Sequence, residues 1–205
     1  MLSITNKYRI AIFGGSFDPI HNGHLGVAIL LQEKYNFDKI IFIPAYINPF
    51  KTKNPPKTTA KQRLQMIKLA ISEIKDYHFE VSEIEILNES PSYTIDTIKN
   101  IEKREKESGR DLELFLVIGQ DSLAKFGEWK NSNQILEKCQ ILVVQRFENE
   151  NIVNQLVDPR FTFIDKKDIS STELRNRIKS GRYCAHLMPK SVLQYIGDNK
   201  IYSNL

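Results

Sequence analysis

Several features that mark particular protein classes are scarce in this sequence. Its 205 residues include only two cysteines, Cys139 and Cys184, with no spacing typical of a disulfide framework. A disulfide-stabilised secreted domain is therefore excluded. The longest uninterrupted apolar run, Leu25–Leu31, is far shorter than the roughly 20 residues of a membrane span. Residues 1–7 lack the basic and apolar segments of a signal peptide. We therefore expect a cytoplasmic protein with no membrane partner.

The sequence also has little net charge, but that charge is unevenly distributed. The formal net charge is +4, which is too small to predict a nucleic-acid-binding surface. Residues 51–63 and 174–197 each carry five basic residues and no acidic one, which leaves −6 for the rest of the chain. Basic islands in an acidic body favour a compact anionic ligand over a nucleic acid, although solvated surfaces would give the same pattern.

Apolar segments of strand type alternate with helical segments along the whole chain. Continuous β-branched and aromatic runs are typical of strands in a sheet that is covered on both faces. Helices are predicted where apolar residues recur at helical spacing between capping and terminating residues. The alternation predicts an α/β fold with a doubly wound parallel sheet in one domain, residues 1–205, with a C-terminal helical subregion from about 166 to 205. The predicted strands are Arg9–Phe13, Lys39–Pro44, His78–Val81, Leu112–Ile118, Gln140–Gln145 and Phe161–Ile164, and the predicted helices lie between Thr58 and Lys75, Ser92 and Gly109, Ser170 and Gly181, and Pro189 and Ile196.

The most informative segment, GGSFDPIHNGH at residues 14–24, follows the first strand and leads into a further helix. Paired glycines let backbone N–H groups approach an anion, and a helix N-terminus adds the positive end of its dipole. His21 and His24, three residues apart, share one face of the first helical turn and predict a phosphate site. Metal ligation or helix capping by the two histidines stays open as an alternative.

This segment resembles the H-x-G-H signature of the nucleotidyltransferase superfamily. The chain as a whole resembles the bacterial nicotinate-nucleotide adenylyltransferases, whose further motifs follow in the same order. One departure is Phe50, which stands where that family often has a histidine before the loop lysine. The matching segments are Asn48–Lys51, Ser92–Thr97 (SYTIDT), Ile118–Ser122 (IGQDS) with Trp129, Arg146 after a strand, and Ile169–Arg175 (ISSTELR).

The resemblance implies a Rossmann-like nucleotidyltransferase fold and one reaction in NAD biosynthesis. The phosphate of nicotinate mononucleotide would attack the α-phosphorus of ATP, giving nicotinate adenine dinucleotide and pyrophosphate. Positioning and charge neutralisation supply most of such catalysis, so no covalent nucleophile is needed. Mg²⁺ is expected with ATP, held by phosphate oxygens and water, with no metal site on the protein itself. The expected partners are ATP and nicotinate mononucleotide, without nucleic acid, and a homo-oligomer stays open.

The resemblance also implies a role for each matching residue. His21, His24 and Arg175 would be catalytic, the histidines at the ATP phosphates and Arg175 at the departing pyrophosphate. Trp129 would stack on the pyridinium ring, with packing in the core as the alternative. For Asp121 and for the serines of ISSTELR, the alternative is helix capping. The ATP site would comprise Gly14, Gly15, Ser16, Phe17, His21, His24, Lys51, Ser170, Ser171, Thr172 and Arg175, and the mononucleotide site would comprise Gly15, Ser16, Tyr93, Thr94, Asp121, Trp129 and Arg146.

The sequence leaves open the choice between nicotinate and nicotinamide mononucleotide, and it leaves open whether residues 48–59 close over ATP. Two other functions are also compatible with part of the sequence. Phosphopantetheine adenylyltransferase shares the H-x-G-H core. A pantetheine arm has no aromatic cation to stack, however, so the SYT segment and Trp129 argue against it. A non-catalytic nucleotide- or RNA-binding module with a tRNA-synthetase-like core would explain residues 21–24 alone. It would not explain the second anion site at 169–175, so adenylyl transfer to a pyridine mononucleotide is the main prediction.

Overall fold

Six parallel strands form one sheet in the part of the chain that the structure describes. The structure is a computed structural model and describes residues 7–51, 55–88, 90–146, 161–166 and 169–203. The strand order is β3-β2-β1-β4-β5-β6, and every adjacent pair is parallel. All six predicted strands are confirmed, with ends that differ by at most two residues. The strands are β1 (Tyr8–Gly15), β2 (Lys39–Pro44), β3 (Phe79–Val81), β4 (Leu112–Gly119), β5 (Cys139–Arg146) and β6 (Phe161–Lys166).

Helices connect the strands and cover both faces of the sheet, which confirms the doubly wound fold. None of the described helices is both long and apolar enough to cross a membrane. Three short helices, α3, α5 and α6, are absent from the sequence-based prediction, because one or two turns carry too few residues to show helical periodicity. The helices are α1 (Asn22–Tyr35), α2 (Ala60–Ser72), α3 (Ile84–Leu87), α4 (Thr94–Glu107), α5 (Gln120–Leu123), α6 (Ser132–Lys138), α7 (Ser171–Lys179) and α8 (Lys190–Asp198).

The sheet separates two hydrophobic cores. Successive side chains of a strand point to opposite faces, so Ala11 and Phe13 of β1 belong to one core and Ile10 and Ile12 to the other. The first core includes apolar residues of α1, α2, α7 and α8, and the second includes those of α4, α5 and α6. Burial on both faces explains why the strands are apolar without alternation.

The strand order places a crevice at one edge of the sheet. The chain moves outward from β1 through β2 to β3, then returns to pair β4 with the other side of β1. At such a switch point the loops after the two central strands diverge, and ligands of open α/β sheets bind there. The crevice therefore lies between the carboxyl ends of β1 and β4, next to residues 14–24. The extent of the domain, residues 1–205, stays a prediction.

Candidate active site

A cavity of about 1480 Å³ opens at the carboxyl ends of β1 and β4. The loop after β1, the start of α4, the segment after β4 and the start of α7 all contribute to its wall. The side chains of Lys51 and Arg146 lie outside the described part of the structure, so their roles stay predictions. The predicted site residues that line the cavity are Gly14, Gly15, Ser16, Phe17, His21, His24, Tyr93, Thr94, Asp121, Trp129, Ser170, Ser171, Thr172 and Arg175.

His21 and His24 stand together at the N-terminus of α1. Their rings stack with centroids 3.7 Å apart, and His21 is the residue immediately before the helix. The backbone N–H of His21 donates to Nδ1 of His24 at 3.3 Å. A neutral imidazole that accepts at Nδ1 carries its proton on Nε2. The arrangement thus provides a donating Nε2–H beside the positive end of a helix, which suits a phosphate oxygen.

Phe17 shapes the turn that leads to these histidines. Its φ is 48°, in the left-handed region, which costs a bulky residue on the order of 1 kcal/mol. Its buried ring meets the ring of His24 edge-on, with centroids 5.0 Å apart. A Cβ on Gly15 would lie 3.0 Å from the Phe17 ring, whereas no atom lies within 4 Å of a Cβ built on Gly14. A side chain at position 15 would therefore push the Phe17 ring aside, whereas Gly14 leaves open space at the cavity wall.

The hydroxyls at the start of α7 tie that helix to the turn before α1. Ser170 caps the helix, since its hydroxyl accepts the N–H of Glu173 at 3.1 Å. The Ser171 hydroxyl donates to the carbonyl of Pro19 at 3.0 Å. Helix capping, the alternative for the serines, is thus confirmed for Ser170. Capping and anion binding can coexist at one helix start.

Arg175 is held in the cavity wall by two hydrogen bonds. Its Nη1 donates to the carbonyl of Asp18 at 2.7 Å, and its Nη2 donates to the hydroxyl of Thr172 at 3.0 Å. The carboxylate of Asp18 lies 3.9 Å from Nη1. The guanidinium therefore has a fixed position close to the loop that carries the two histidines.

Asp18 is a site residue that the sequence analysis missed. Its carboxylate is 4% exposed and accepts from the hydroxyl of Thr58 at 2.6 Å, from the N–H of Lys57 at 2.6 Å and from the hydroxyl of Tyr202 at 2.7 Å. Burial, reinforced by the charge of Asp18, raises the pKa of Tyr202, so the phenol remains a donor. Asp18 thereby fastens two distant segments to the loop of residues 14–24. The motif could have drawn attention to Asp18, but nothing in the sequence identifies its partner Tyr202.

Arg63 is a second missed residue, and it lies beneath the site. Only 1% of it is exposed, and its guanidinium donates to the carbonyls of Ser16 at 3.0 Å, Ala45 at 2.6 Å and Tyr46 at 3.1 Å. One side chain thus joins the loops after β1 and β2. Burial lowers the pKa of Arg63, and the charge of Asp18 opposes that effect. In the sequence, Arg63 belongs to the basic island of residues 51–63, which suggested a ligand contact or exposure to solvent. In the structure its side chain is instead buried and bound to backbone carbonyls.

The other end of the cavity is aromatic. Trp129 lines the cavity and also packs on Phe126, with ring centroids 5.2 Å apart. Tyr93 immediately precedes α4 and is 40% exposed. The neighbouring Ser92 is held in place because its hydroxyl accepts the N–H of Tyr46 and its own N–H donates to the carbonyl of Ile47, both at 3.0 Å. This part of the cavity wall therefore combines two aromatic side chains with a hydrogen-bonded turn.

Two acidic residues also line this part of the cavity. Gly119 is the cap of α5, so the capping alternative for Asp121 is wrong, and Asp121 lies in the first turn of that helix. A Cβ on Gly119 would lie 2.6 Å from Oδ1 of Asp121, so a larger residue at position 119 would displace the Asp121 carboxylate. Glu85 accepts from the hydroxyl of Thr97 at 2.7 Å. Burial raises the pKa of Glu85, against the opposing effect of hydrogen bonds from Thr97 and Ser92.

The donor set of the site suits anions better than a bare metal ion. Among the described residues, no three His, Cys, Asp or Glu side chains are grouped so that they could hold a metal. Both carboxylate oxygens of Asp18 already accept hydrogen bonds from protein donors. The groups near Asp18 are imidazoles, a guanidinium, hydroxyls and two helix N-termini, which together favour phosphate.

Comparison with known proteins assigns the chain to a class. The sequence profile of the cytidylyltransferase-like family matches residues 12–177. The match extends from the middle of β1 to α7 and includes both histidines and Arg175. The chain therefore belongs to the cytidylyltransferase-like family.

Its relatives narrow the class to one group, the nicotinate-nucleotide adenylyltransferases, which confirms the resemblance seen in the sequence. A protein of Methylacidiphilum infernorum, named as a probable nicotinate-nucleotide adenylyltransferase, is 40% identical over 98% of this chain and 96% of its own length. One of Borrelia garinii with the same name is 37% identical over 95% of this chain and 94% of its own length.

A solved structure shares the fold at low sequence identity. The nicotinic acid mononucleotide adenylyltransferase of Plasmodium falciparum, complexed with NaAD, is 17% identical. It superposes with a TM-score of 0.73 over 95% of this chain and 97% of that chain. The likeness supports the Rossmann-like arrangement described above.

Proposed function

We propose that the protein transfers the adenylyl group of ATP to nicotinate mononucleotide, giving nicotinate adenine dinucleotide and pyrophosphate. The observation that carries the proposal is that one cavity at the switch point joins residues 14–24, the Ser92–Thr94 turn, Trp129 and the start of α7. One end offers donors for phosphates and the other offers aromatic rings. The activity named for its relatives is the same transfer.

The proposed reaction is a direct displacement at the α-phosphorus. A phosphate oxygen of the mononucleotide forms the new bond, and the bond from the α-phosphorus to the bridging oxygen breaks, so pyrophosphate leaves with the electron pair. No protein group forms a covalent bond. Nε2–H of His24 would donate to the oxygens on which charge accumulates, and His21 would do so beside it. Arg175 and the N-terminus of α7 would stabilise the departing pyrophosphate.

Mg²⁺ would enter as part of the ATP substrate, bound to phosphate oxygens and water, where it neutralises phosphate charge. The protein's own contribution is to hold the two nucleotides in line and to supply donors that need no reorganisation. Trp129 and Tyr93 would position the pyridine ring, and Asp121 would hold a ribose hydroxyl.

The experiment that tests this function compares acceptors. The purified protein is incubated with Mg-ATP and, separately, with nicotinate mononucleotide, nicotinamide mononucleotide or phosphopantetheine, and pyrophosphate release is measured. We expect release with a pyridine mononucleotide. No release with either pyridine mononucleotide would reject the proposal, and release with phosphopantetheine alone would favour the other transferase. Absence of all turnover, with retained nucleotide binding, would favour a binding module.

Removal of either histidine tests the proposed stabilisation of the transition state. We expect His21→Ala and His24→Ala each to lower kcat at least about a hundredfold, since loss of one such donor costs about 3 kcal/mol. His78→Ala is the matched control, because His78 lies just before β3 with a side chain 57% exposed, away from the cavity wall. Folded content is compared by circular dichroism. Near-full activity in both site variants would contradict the proposed role.

A further inference from the structure

We propose that Arg63 is a positioning residue for adenylyl transfer, because it fixes the loop of residues 14–24 relative to the Ser92–Thr94 turn. The inference rests on the proposed function and adds a residue that would contact neither nucleotide. Arg63 is 1% exposed and does not belong to the cavity wall. Its effect on the reaction must therefore pass through the segments that its side chain holds.

The guanidinium of Arg63 joins two loops at the carboxyl edge of the sheet. Its Nη1 donates to the carbonyls of Ser16 at 3.0 Å and Ala45 at 2.6 Å. Its Nη2 donates to the carbonyl of Tyr46 at 3.1 Å. Beside these bonds, the N–H of Ala45 donates to the carbonyl of Gly15 at 3.0 Å and prolongs the pairing of β1 with β2. The planar guanidinium carries this link beyond the strands, because its donors have a fixed geometry.

From Tyr46, the hydrogen bonds continue to the turn before α4. The N–H of Tyr46 donates to the hydroxyl oxygen of Ser92, and the N–H of Ser92 donates to the carbonyl of Ile47, both at 3.0 Å. The Ser92 hydroxyl in turn donates to the carboxyl group of Glu85. That carboxyl group also accepts from the hydroxyl of Thr97 in α4 at 2.7 Å. The loop after β2 is therefore bound to Arg63 on one side and to the start of α4 on the other.

The two ends of this chain of hydrogen bonds lie where the two nucleotides would bind. Ser16 belongs to the loop that carries the histidines, and Ser92 begins the turn that carries Tyr93. Direct displacement requires the reacting atoms to be aligned at about 3–3.5 Å, and a misplacement of about 1 Å can cost a hundredfold in rate. A residue that sets the spacing of the two segments therefore acts mainly on the chemical step, because the groups that contact each nucleotide stay on their own segment.

Two substitutions break the chain of hydrogen bonds at different points. Arg63→Lys keeps a positive charge near Asp18, but the single nitrogen of lysine lacks the fork that serves both loops at once. Ser92→Ala removes the acceptor of the Tyr46 N–H and leaves the buried arginine in place. It therefore tests the same chain even if Arg63→Lys does not fold. The variant with both changes completes a double-mutant cycle with wild type.

Pyrophosphate release gives kcat and KM for these proteins, and fluorescence of Trp129, the single tryptophan, gives the Kd of nicotinate mononucleotide without turnover. We expect Arg63→Lys to lower kcat by about tenfold to a hundredfold and to change that Kd by less than about threefold, because the two nucleotides lose their alignment but keep their contacts. Ser92→Ala should also lower kcat. The double variant should be little worse than the more impaired single variant, because either change already breaks the chain.

Arg9→Lys is the matched control for a general loss of stability. Arg9 lies near the start of β1, at the opposite edge of the sheet from the cavity. Its side chain is 30% exposed and donates to the carboxylate of Glu113 at 2.9 Å and to the carbonyl of Tyr35. The same change at this arginine should lower Tm and leave kcat as in wild type. Circular dichroism compares the folded content of all variants.

The outcomes separate this inference from the proposed function. If wild type releases pyrophosphate, the inference would be overturned by additive effects of Arg63→Lys and Ser92→Ala, by an unchanged kcat in Ser92→Ala, or by an equal loss of kcat in Arg9→Lys. It would also be overturned if Arg63→Lys weakened mononucleotide binding as much as it lowered kcat. Absence of release by wild type with both pyridine mononucleotides would instead reject the proposed function, and the inference with it.

Discussion

Replacement of Tyr202 by phenylalanine removes one hydrogen bond from the buried carboxylate of Asp18 and leaves the ring in place. The Tyr202 hydroxyl donates to Oδ1 of Asp18 at 2.7 Å, and both residues are 4% exposed. A hydrogen bond to a charged group contributes about 1.5–3 kcal/mol to stability. Asp18 keeps its bonds from Thr58 and Lys57, so we expect the free energy of unfolding to fall by about 2 kcal/mol. For a chain of this size, Tm should fall by about 4–8 °C.

Urea unfolding, followed by circular dichroism, measures the effect, and an unchanged m-value would show that only stability has changed. Tyr195→Phe is the matched control, because Tyr195 lies in α8 and is less buried. Its loss of a hydroxyl should cost much less. The reasoning would be refuted if Tyr202→Phe unfolded like wild type, or if both tyrosine variants lost the same stability.

Two further predictions concern pH. Burial raises the pKa of Glu85, so the folded state loses stability as the pH rises from the unfolded-state pKa of the carboxyl through its raised folded-state pKa. Glu85→Gln should therefore be more stable than wild type at pH ~7 and similar below pH ~4 in urea titrations. Glu105 behaves in the opposite way: burial alone would raise its pKa, but hydrogen bonds from Arg104 and Arg110 and the charge of Lys39 outweigh this and lower it. Its stabilisation is present above the unfolded-state pKa and is lost as the pH falls through the folded-state pKa, so Glu105→Gln should be less stable than wild type near neutrality, with the difference narrowing in acid. Thermal melts of wild type and Glu105→Gln across pH test the second prediction. For either variant, a stability difference from wild type that does not change with pH would contradict the prediction.

The fold was largely predictable because its signals are local. A buried parallel strand is a continuous apolar run, and the segment Lys39–Pro44 is predicted with the bounds that the structure gives. The helices α2 and α4 have enough turns to show a periodic apolar face. Helices of four or seven residues, such as α3 and α6, are held by tertiary contacts and leave no periodic pattern.

The site was predictable where its residues form contiguous motifs, and not where they depend on tertiary partners. His21, His24 and Arg175 come from motifs, and the fold brings them to one cavity. Arg63 was not predicted as a buried residue because arginines are mostly exposed, and its three carbonyl partners exist only once two loops meet. Tyr202 likewise has no local signal in the sequence for the Asp18 carboxylate to which its hydroxyl donates.

The bond between Asp18 and Tyr202 also has a consequence for the order of synthesis. The two residues are 184 positions apart in the sequence, and at ribosomal rates of about 5–20 residues per second the interval between them is roughly 10–40 s. Throughout that interval the loop that carries the two histidines lacks the hydrogen bond between Tyr202 and Asp18. A chain that ends before Tyr202 would therefore contain every phosphate-site motif but would lack the hydrogen bond from Tyr202 to Asp18. The loop that carries the two histidines would reach its full stability only late in translation.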